Sequence, residues 1–284
     1  MLGLLLPAPA ASDNKYSRGT VGFVTGSVQY PGAALLGVSG AQATGVGFVR
    51  YVGPNRVQDL LLLAHPEVVT AETFAASGPA QAWVLGSGMA RGDAQLLQVR
   101  EVLALATVAV IDAGALALIG AEESAEYALA PGAHHILTPH QGEICGLLNR
   151  LGAPSPRGGI WHPELLDTPE LAWAAATTAA ELTGHTVLLK GSITRVAAPN
   201  GERVEVGPNS PSLATAGTGD VLAGILGGIA AQNPAVAQNN WLDIARLAIE
   251  LHSAAAQRAG EIGAVTASAV ASAVSLEIRQ RFRQ

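Results

Sequence analysis

Short apolar runs recur along the chain: VGFVTG (21–26), GFVRYVG (47–53), AWVLGSG (82–88), VAVID (108–112), HHILTP (134–139) and TVLLKG (186–191). They read as buried strands, most ending in Gly, Asp, Pro or Lys, with helical patterns between them. A chain that alternates such strands with helices is constrained to an α/β fold, a mostly parallel sheet covered on both faces. Ligands of such sheets bind beyond the carboxyl ends of the strands. That rule points to the loops after Gly26, Gly86, Ile111, Thr138 and Lys190, and to the turn before Asp220.

The helices have local causes. In DTPELAWAAATTAAELTG, Thr168 or Asp167 caps, Pro169 suits the first helical position and Gly184 the stop. LDIARLAIELHSAAAQRAG (242–260) sets Leu242, Ala245, Ile249, His252, Ala256 and Ala259 on one stripe. One hairpin stands apart: in SITRVAAPNGERVEVG, Asn200-Gly201 signals a two-residue turn between alternating strands. GAPSPRGGIWHPELLD (152–167) reads as a loop. No repeat or dividing linker is visible, so residues 1–284 read as a single domain.

Composition narrows the partners. The 284 residues are 49% apolar and 13% charged, which allows a large core but leaves a thin polar surface. The expectation is a homo-oligomer, a dimer or tetramer, whose subunits cover further area. A net charge of −6 with no basic run argues against nucleic acid or an anionic membrane as partner. The single cysteine, Cys145, rules out an internal disulfide and gives no zinc cluster. Its apolar neighbours make it an inert core residue. MLGLLLPAPAA imitates a signal peptide but lacks a basic start and soon meets Pro7, so the expected location is cytoplasmic. Val102 to Ala121 is long enough to span a bilayer, but Asp112 and Gly114 interrupt it; helix, buried strand and turn account for it better.

Four segments can carry chemistry. Ala216-Gly217-Thr218-Gly219 enters a helix beginning near Gly219, where free amides and the positive end of the helix dipole make an anion cradle. Asp220 then sits in the first turn, stabilised as a carboxylate, and can take a proton from a hydroxyl that receives a phosphoryl group; the alternative is a well-capped buried helix. GSGMARGD (86–93) follows a strand and opens a helix, but Arg91 breaks the dinucleotide fingerprint and a structural turn is the plainer reading. In LTPHQGE (137–143), His140 lands at the carboxyl edge of the sheet. Glu143 either caps the next helix or holds a magnesium-bound water. His134 and His135 fall inside the strand as packing or edge residues. In LLKGSIT (188–194), Lys190 reaches a phosphate or is simply solvated, and Gly191 turns the chain into the hairpin, which can lie over a flat base.

Together these segments resemble the ADP- or ATP-dependent NAD(P)H-hydrate dehydratases, within the ribokinase-like fold. The resemblance runs from KYSRGTVGFVTGSVQYPGAALLG (15–37) through VIDAGAL, ILTPHQGE, LLKGSIT and NSPSLATAGTGDVLAGILGG to GAVTASAVA (263–271). It implies a three-layer αβα sandwich with a β-hairpin flap. It also implies repair of hydrated NADH or NADPH, in which the ring hydroxyl is phosphorylated by a nucleotide, ADP in preference to ATP, and phosphate is then eliminated. Carried over by position, Asp220 is the base. Gly217, Thr218 and Gly219 form the phosphate-holding turn, and Lys190, Gly191, Ser192, Ile193 and Thr194 the AMP-binding segment. Ala33 or Ala34, Gly88 and His140 touch the hydrated dinucleotide, as does Asp220. Magnesium is implied, with Glu143 its indirect holder.

The chain departs from the family in two places. Asp112-Ala113-Gly114-Ala115-Leu116 lacks the second acid of Asp-Ala-Asp-Ala-Leu. Asn209-Ser210-Pro211-Ser212 replaces Gly-Asn-Pro-Gly. The epimerase domain that some members carry has no room here, so a hydrate epimerase is expected to be a separate protein. Two rival functions use the same motifs: a small-molecule kinase of hydroxymethylpyrimidine or thiazole type, and a non-catalytic nucleotide-binding regulator.

Overall fold

The computed structural model describes residues 2–90, 92–120 and 129–281; Arg91 and Ala121 of the segments above lie outside that set. Nine strands form one sheet: β1 (Thr20–Val24), β2 (Phe48–Val52), β3 (Val69–Ala71), β4 (Ala82–Leu85), β5 (Ala109–Ile111), β6 (Ile136–Leu137), β7 (Thr186–Leu189), β8 (Thr194–Ala197) and β9 (Arg203–Val206). Their order is β3-β2-β1-β4-β5-β6-β7-β8-β9. Pairing is parallel through β7 and antiparallel for the last two. The main helices are α1 (Gly32–Ala43), α2 (Asn55–Ala64), α3 (Leu96–Leu103), α4 (Gln141–Arg150), α5 (Pro169–Thr183), α6 (Thr218–Gln232), α7 (Leu242–Ile262) and α8 (Ala267–Arg281).

Successive strand residues point to opposite faces, and two cores result. Val84, Val110 and Leu188 face α1, α2, α6, α7 and α8. Leu85, Ile111, Val187 and Leu189 face α3, α4 and α5. This is the expected three-layer sandwich. The six apolar runs are all strands. β3 carries no such signal, being three half-exposed residues at the sheet edge. α5 has the expected ends: Thr168 Oγ1 accepts from Leu171 N, and Gly184 closes the helix at φ +69°. Among the described residues no single helix is long and apolar enough to cross a membrane; α7 and α8 pass such a test only as a pair bent by 111°.

The expected hairpin is present and continues the sheet: β8 pairs with β7, Leu188 opposite Val196, and β9 extends the same sheet. Two local readings are corrected. The turn of the hairpin is a three-residue loop. Ala198 N donates to Glu202 O at 2.8 Å and Gly201 N to Ala198 O at 3.1 Å. Asn200 keeps a negative φ, which excludes the two-residue type I′ form and leaves a type I turn closed by Gly201 at φ +87°. His134 and His135 precede β6 and do not lie in it. His135 is wholly buried, with its ring 4.8 Å from that of His185.

The glycines of α6 are explained by its partner. A Cβ on Gly224 would stand 1.9 Å from Gly37 O, and one on Gly228 would stand 2.5 Å from Thr44 Oγ1. α1 and α6 therefore touch at backbone distance, which offsets the helix-propensity cost of glycine. Gly224→Ala should lower unfolding free energy by about 2–3 kcal/mol, the usual cost of overpacking, read as a drop in the denaturant midpoint at unchanged m-value.

The buried histidines set an acid limit. Burial takes His135 from the usual 6.5 to about 3, and His185 and His252 to about 4. Below pH 6.5 the unfolded chain binds protons that the folded chain refuses. Stability is therefore full above about pH 6.5 and falls steadily toward pH 4. Thermal melts from pH 7.5 to 4.5 should show this slope, and His185→Gln should flatten it.

Candidate active site

At the carboxyl edge of the sheet, one carboxylate ties four strand ends together. Asp112, just past β5, is 3% exposed. Its Oδ2 accepts from Ser87 Oγ after β4 at 2.9 Å, and its Oδ1 accepts from Thr138 Oγ1 after β6 and Lys190 Nζ after β7, both at 2.8 Å. Burial alone would raise the Asp112 pKa. The Lys190 ammonium and the three hydrogen bonds outweigh it and hold the carboxyl below its usual value. Burial likewise pushes Lys190 down, but the charges of Asp112 and Glu143 hold it above its usual value. Lys190 is therefore an ion-paired group and not the solvated lysine of the simpler reading. Its Nζ lies 3.8 Å from Glu143 Oε2, and a Cβ on Gly219 would also stand 3.8 Å away.

α6 brings the AGTGD turn to this lysine. Gly217 precedes the helix at φ +91°, with no side-chain cap. A Cβ there would meet Leu36 Cδ1 at 2.5 Å, so the position demands glycine on both counts. Thr218 Oγ1 braces the turn by donating to Leu213 O and Thr215 O, at 2.8 and 2.9 Å. Asp220 differs from expectation: it is not held as a low-pKa carboxylate by the helix end. Burial first, then the charge of Asp112, raise it to about 6, with Lys190 partly opposing.

His140 and Glu143 form a reciprocal cap on α4. His140 Nδ1 accepts from Gly142 N and Glu143 N at 3.0 and 3.3 Å, and Glu143 Oε2 accepts from His140 N at 2.8 Å. His140 Nε2 is left pointing outward at the sheet edge, 3.5 Å from Glu143 Oε1.

A cleft of about 570 Å³ joins these parts: His140, Lys190, Gly191, Ser192, Thr194, Thr218 and Gly219 line it, with an apolar wall that includes Pro211, Leu213, Leu222 and Ile249. Of the expected nucleotide segment, Ile193 and Gly217 are not in the lining. Ile193 packs its backbone against Gly207. The second group of expected residues gathers elsewhere on the same edge. Gly88 lies so close to Ala33 that a Cβ would stand 2.5 Å from the Ala33 methyl. Ala34 is fully buried beneath Gly26. A second cleft, about 330 Å³, runs along these loops past Ser27, Tyr30, Ala90 and Gln95.

The GSGMARGD segment does not open a helix directly; α3 starts only at Leu96. Its backbone instead explains Gly114: a Cβ there would stand 2.5 Å from Met89 O. Sequence reasoning gave no role to Ser87, Thr138 or Asp112, nor to His252, which lines the larger cleft. The signal was a hydroxyl, an acid and a hydroxyl just past three runs, legible only once β4, β5 and β6 are known to be neighbours.

The NAD(P)H-hydrate dehydratase family model matches residues 21–277. The chain belongs to that family. An ADP-dependent (S)-NAD(P)H-hydrate dehydratase of Neisseria meningitidis is 32% identical over 277 residues, covering 94% of this chain and 86% of that one. A bifunctional NAD(P)H-hydrate repair enzyme of Mycobacterium tuberculosis is 36% identical over 79% of this chain. The chain spans 43% of that relative's length. Among solved structures, an ADP/ATP-dependent NAD(P)H-hydrate dehydratase of Bacillus subtilis co-crystallised with ATP and Mg2+ superposes with TM-score 0.77 and 25% identity, covering 99% of this chain and 96% of that one. A ribokinase of Cryptococcus neoformans shares the fold at TM-score 0.54 and 13% identity.

Asp220 should titrate within reach of neutral pH. Carbon-13 NMR of labelled aspartates should show one carboxyl with a midpoint near pH 6 that vanishes in Asp220→Asn. Lys190→Ala should move that midpoint upward, because the one charge opposing the shift is gone.

Proposed function

We propose that the chain restores NADH or NADPH from its hydrate at the expense of a nucleotide, with ADP preferred to ATP. The observation that carries this reading is Asp220: a partly buried acid with a pKa near 6, in the first turn of α6, close to Lys190 and next in sequence to Gly219 of the nucleotide-sized cleft. A base poised near the working pH is what proton removal from a hydroxyl needs. The names of the relatives support the substrate and the nucleotide.

In this reading the nucleotide lies in the larger cleft, along Lys190–Thr194, with its terminal phosphate at the amides of Gly217–Gly219. The hydrated ring sits between Asp220, Gly88, Ala33 and His140, where Gly88 keeps the approach open. Ala34 shapes this wall from below. Asp220 takes the proton of the ring hydroxyl as the hydroxyl oxygen attacks the terminal phosphorus of the nucleotide, whose bond to the bridging oxygen breaks to release AMP from ADP, and Lys190 balances charge on the transferring group. Loss of the phosphate with a ring proton then restores the reduced ring.

The donor set fits magnesium held through water and phosphates. Among the described residues no three His, Cys, Asp or Glu stand together as a protein cage, but Glu143 faces Lys190 at the cleft. Glu143 would hold the ion through water. When bound, the ion supplies positive charge to the phosphates. Exposed apolar side chains such as Leu63, Leu105 and Ile160 support a homo-oligomer.

The test is direct. Pure protein with hydrated NADH, magnesium and ADP or ATP should return the near-ultraviolet absorbance of reduced nicotinamide. Binding of nucleotide without recovery would instead support the regulator, and phosphorylation of a thiazole or hydroxymethylpyrimidine alcohol the kinase. Asp220→Asn should lower turnover by about 10²–10⁴-fold and leave ADP affinity within about threefold, because shape is kept and only the base is lost. Near wild-type turnover in that variant would refute the mechanism.

A further inference from the structure

Asp112 has no part in the chemistry just described, yet the strand ends converge on it. Its carboxylate takes donors from the segments after β4, β6 and β7. The residue that follows it, Ala113, has φ +45°, the one non-glycine with positive φ among the described residues. A left-handed alanine is strained, and such strain persists only where the surroundings over-determine it. Here the surroundings are the turn that aims the Asp112 side chain. Three acids, Asp112, Glu143 and Asp220, act on the single ammonium of Lys190. Only Asp112 holds it at hydrogen-bond distance.

We propose that Asp112 is a positioning residue: it anchors the Lys190 ammonium at the mouth of α6 and so keeps Lys190 from pairing with Asp220. Ser87 and Thr138 are the struts of this anchor. They fix both carboxylate oxygens, leaving Lys190 with one well-defined place and Asp220 as an unpaired base. The effect on turnover rests on the function proposed above; the effect on nucleotide binding does not.

Asp112→Asn keeps the shape and removes the charge. Lys190 is then free to reach either the phosphates or Asp220. The expected result is a split: ADP affinity, measured by calorimetry, is unchanged or tighter by up to about tenfold, while kcat falls by about tenfold or more. A merely structural role for Asp112 would worsen both together, with a fall in melting temperature. Lys190→Ala should weaken ADP at least about tenfold, because it removes a cation and leaves a buried acid unpaired beside the phosphates. Adding Asp112→Asn to Lys190→Ala should recover at least about threefold in affinity and raise the melting temperature.

Should Asp112→Asn alone fail to fold, Ser87→Ala carries the same expectation at smaller size, a loss of about threefold in kcat at unchanged ADP affinity. The proposal is overturned if affinity and kcat decline together in whichever single variant folds. It is equally overturned if the double variant binds ADP no better than Lys190→Ala. If the wild-type protein shows no turnover of hydrated NADH, the functional reading fails, and the affinity and melting comparison between Lys190→Ala and the double variant decides the role of Asp112.

Discussion

The contact on which the site depends is made by backbone. α1 and α6 meet where glycine faces glycine, with Gly224 against Gly37 O and Gly40 against Val221 O. Packing at that distance leaves neither helix room to slide, since protein interiors resist small displacements as crystals do. The consequence is felt one turn away. The start of α6, including Gly217 and Asp220, is set relative to α1, and α1 is joined to β1 by the loop that holds Gly26. The base and the wall proposed for the dinucleotide thus share a single rigid pair of helices. Alanine-rich composition follows from the same need, because small side chains let layers approach.

Charge placement then decides which acid does what. Asp112, Glu143 and Asp220 are all carboxylates at one sheet edge, yet they are not equivalent. Asp112 has three side-chain donors and stays ionised despite burial. Glu143 accepts from the backbone at the start of α4. Asp220, by contrast, is desolvated and also meets Asp112 as a nearby like charge, and its pKa climbs to about 6. Pairs of acids whose environments separate their pKa values in this way mark acid–base sites. The helix end was expected to lower Asp220, but desolvation and a second carboxylate outweigh a dipole effect that is worth at most about 2 kcal/mol.

Much of the fold was legible in the chain because a buried parallel strand leaves a direct trace, an unbroken apolar run with a turn residue after it. The ends of α5 were legible because Thr168, Pro169 and Gly184 each satisfy a backbone requirement at their own position. β3 was not, since a short edge strand has no buried face to record. The hairpin was legible but its turn was not. Alternation in SITRVAAPNGERVEVG marks two strands but not which neighbour they pair with, and a three-residue loop with Asn200 at negative φ replaces the two-residue turn that Asn200-Gly201 suggests. Asp220 and Lys190 were candidates because one follows a glycine-rich turn and the other ends a buried run, and the family resemblance gave each its expected role. The Ser87–Asp112–Thr138 cluster was hidden, because its members are 25 and 26 residues apart and become neighbours only through strand order.

Gly114 shows how a loop can lose an acid without leaving a gap. The resemblance puts a second carboxylate there, but Met89 O would stand 2.5 Å from its Cβ. The backbone of the loop after β4 occupies the space that a side chain would need, and Met89 is itself 6% exposed. Restoring the acid alone would therefore force the two loops apart and not simply add a charge. The absence leaves Asp112 as the one carboxylate of Asp112–Leu116, and that acid is the one that holds Lys190.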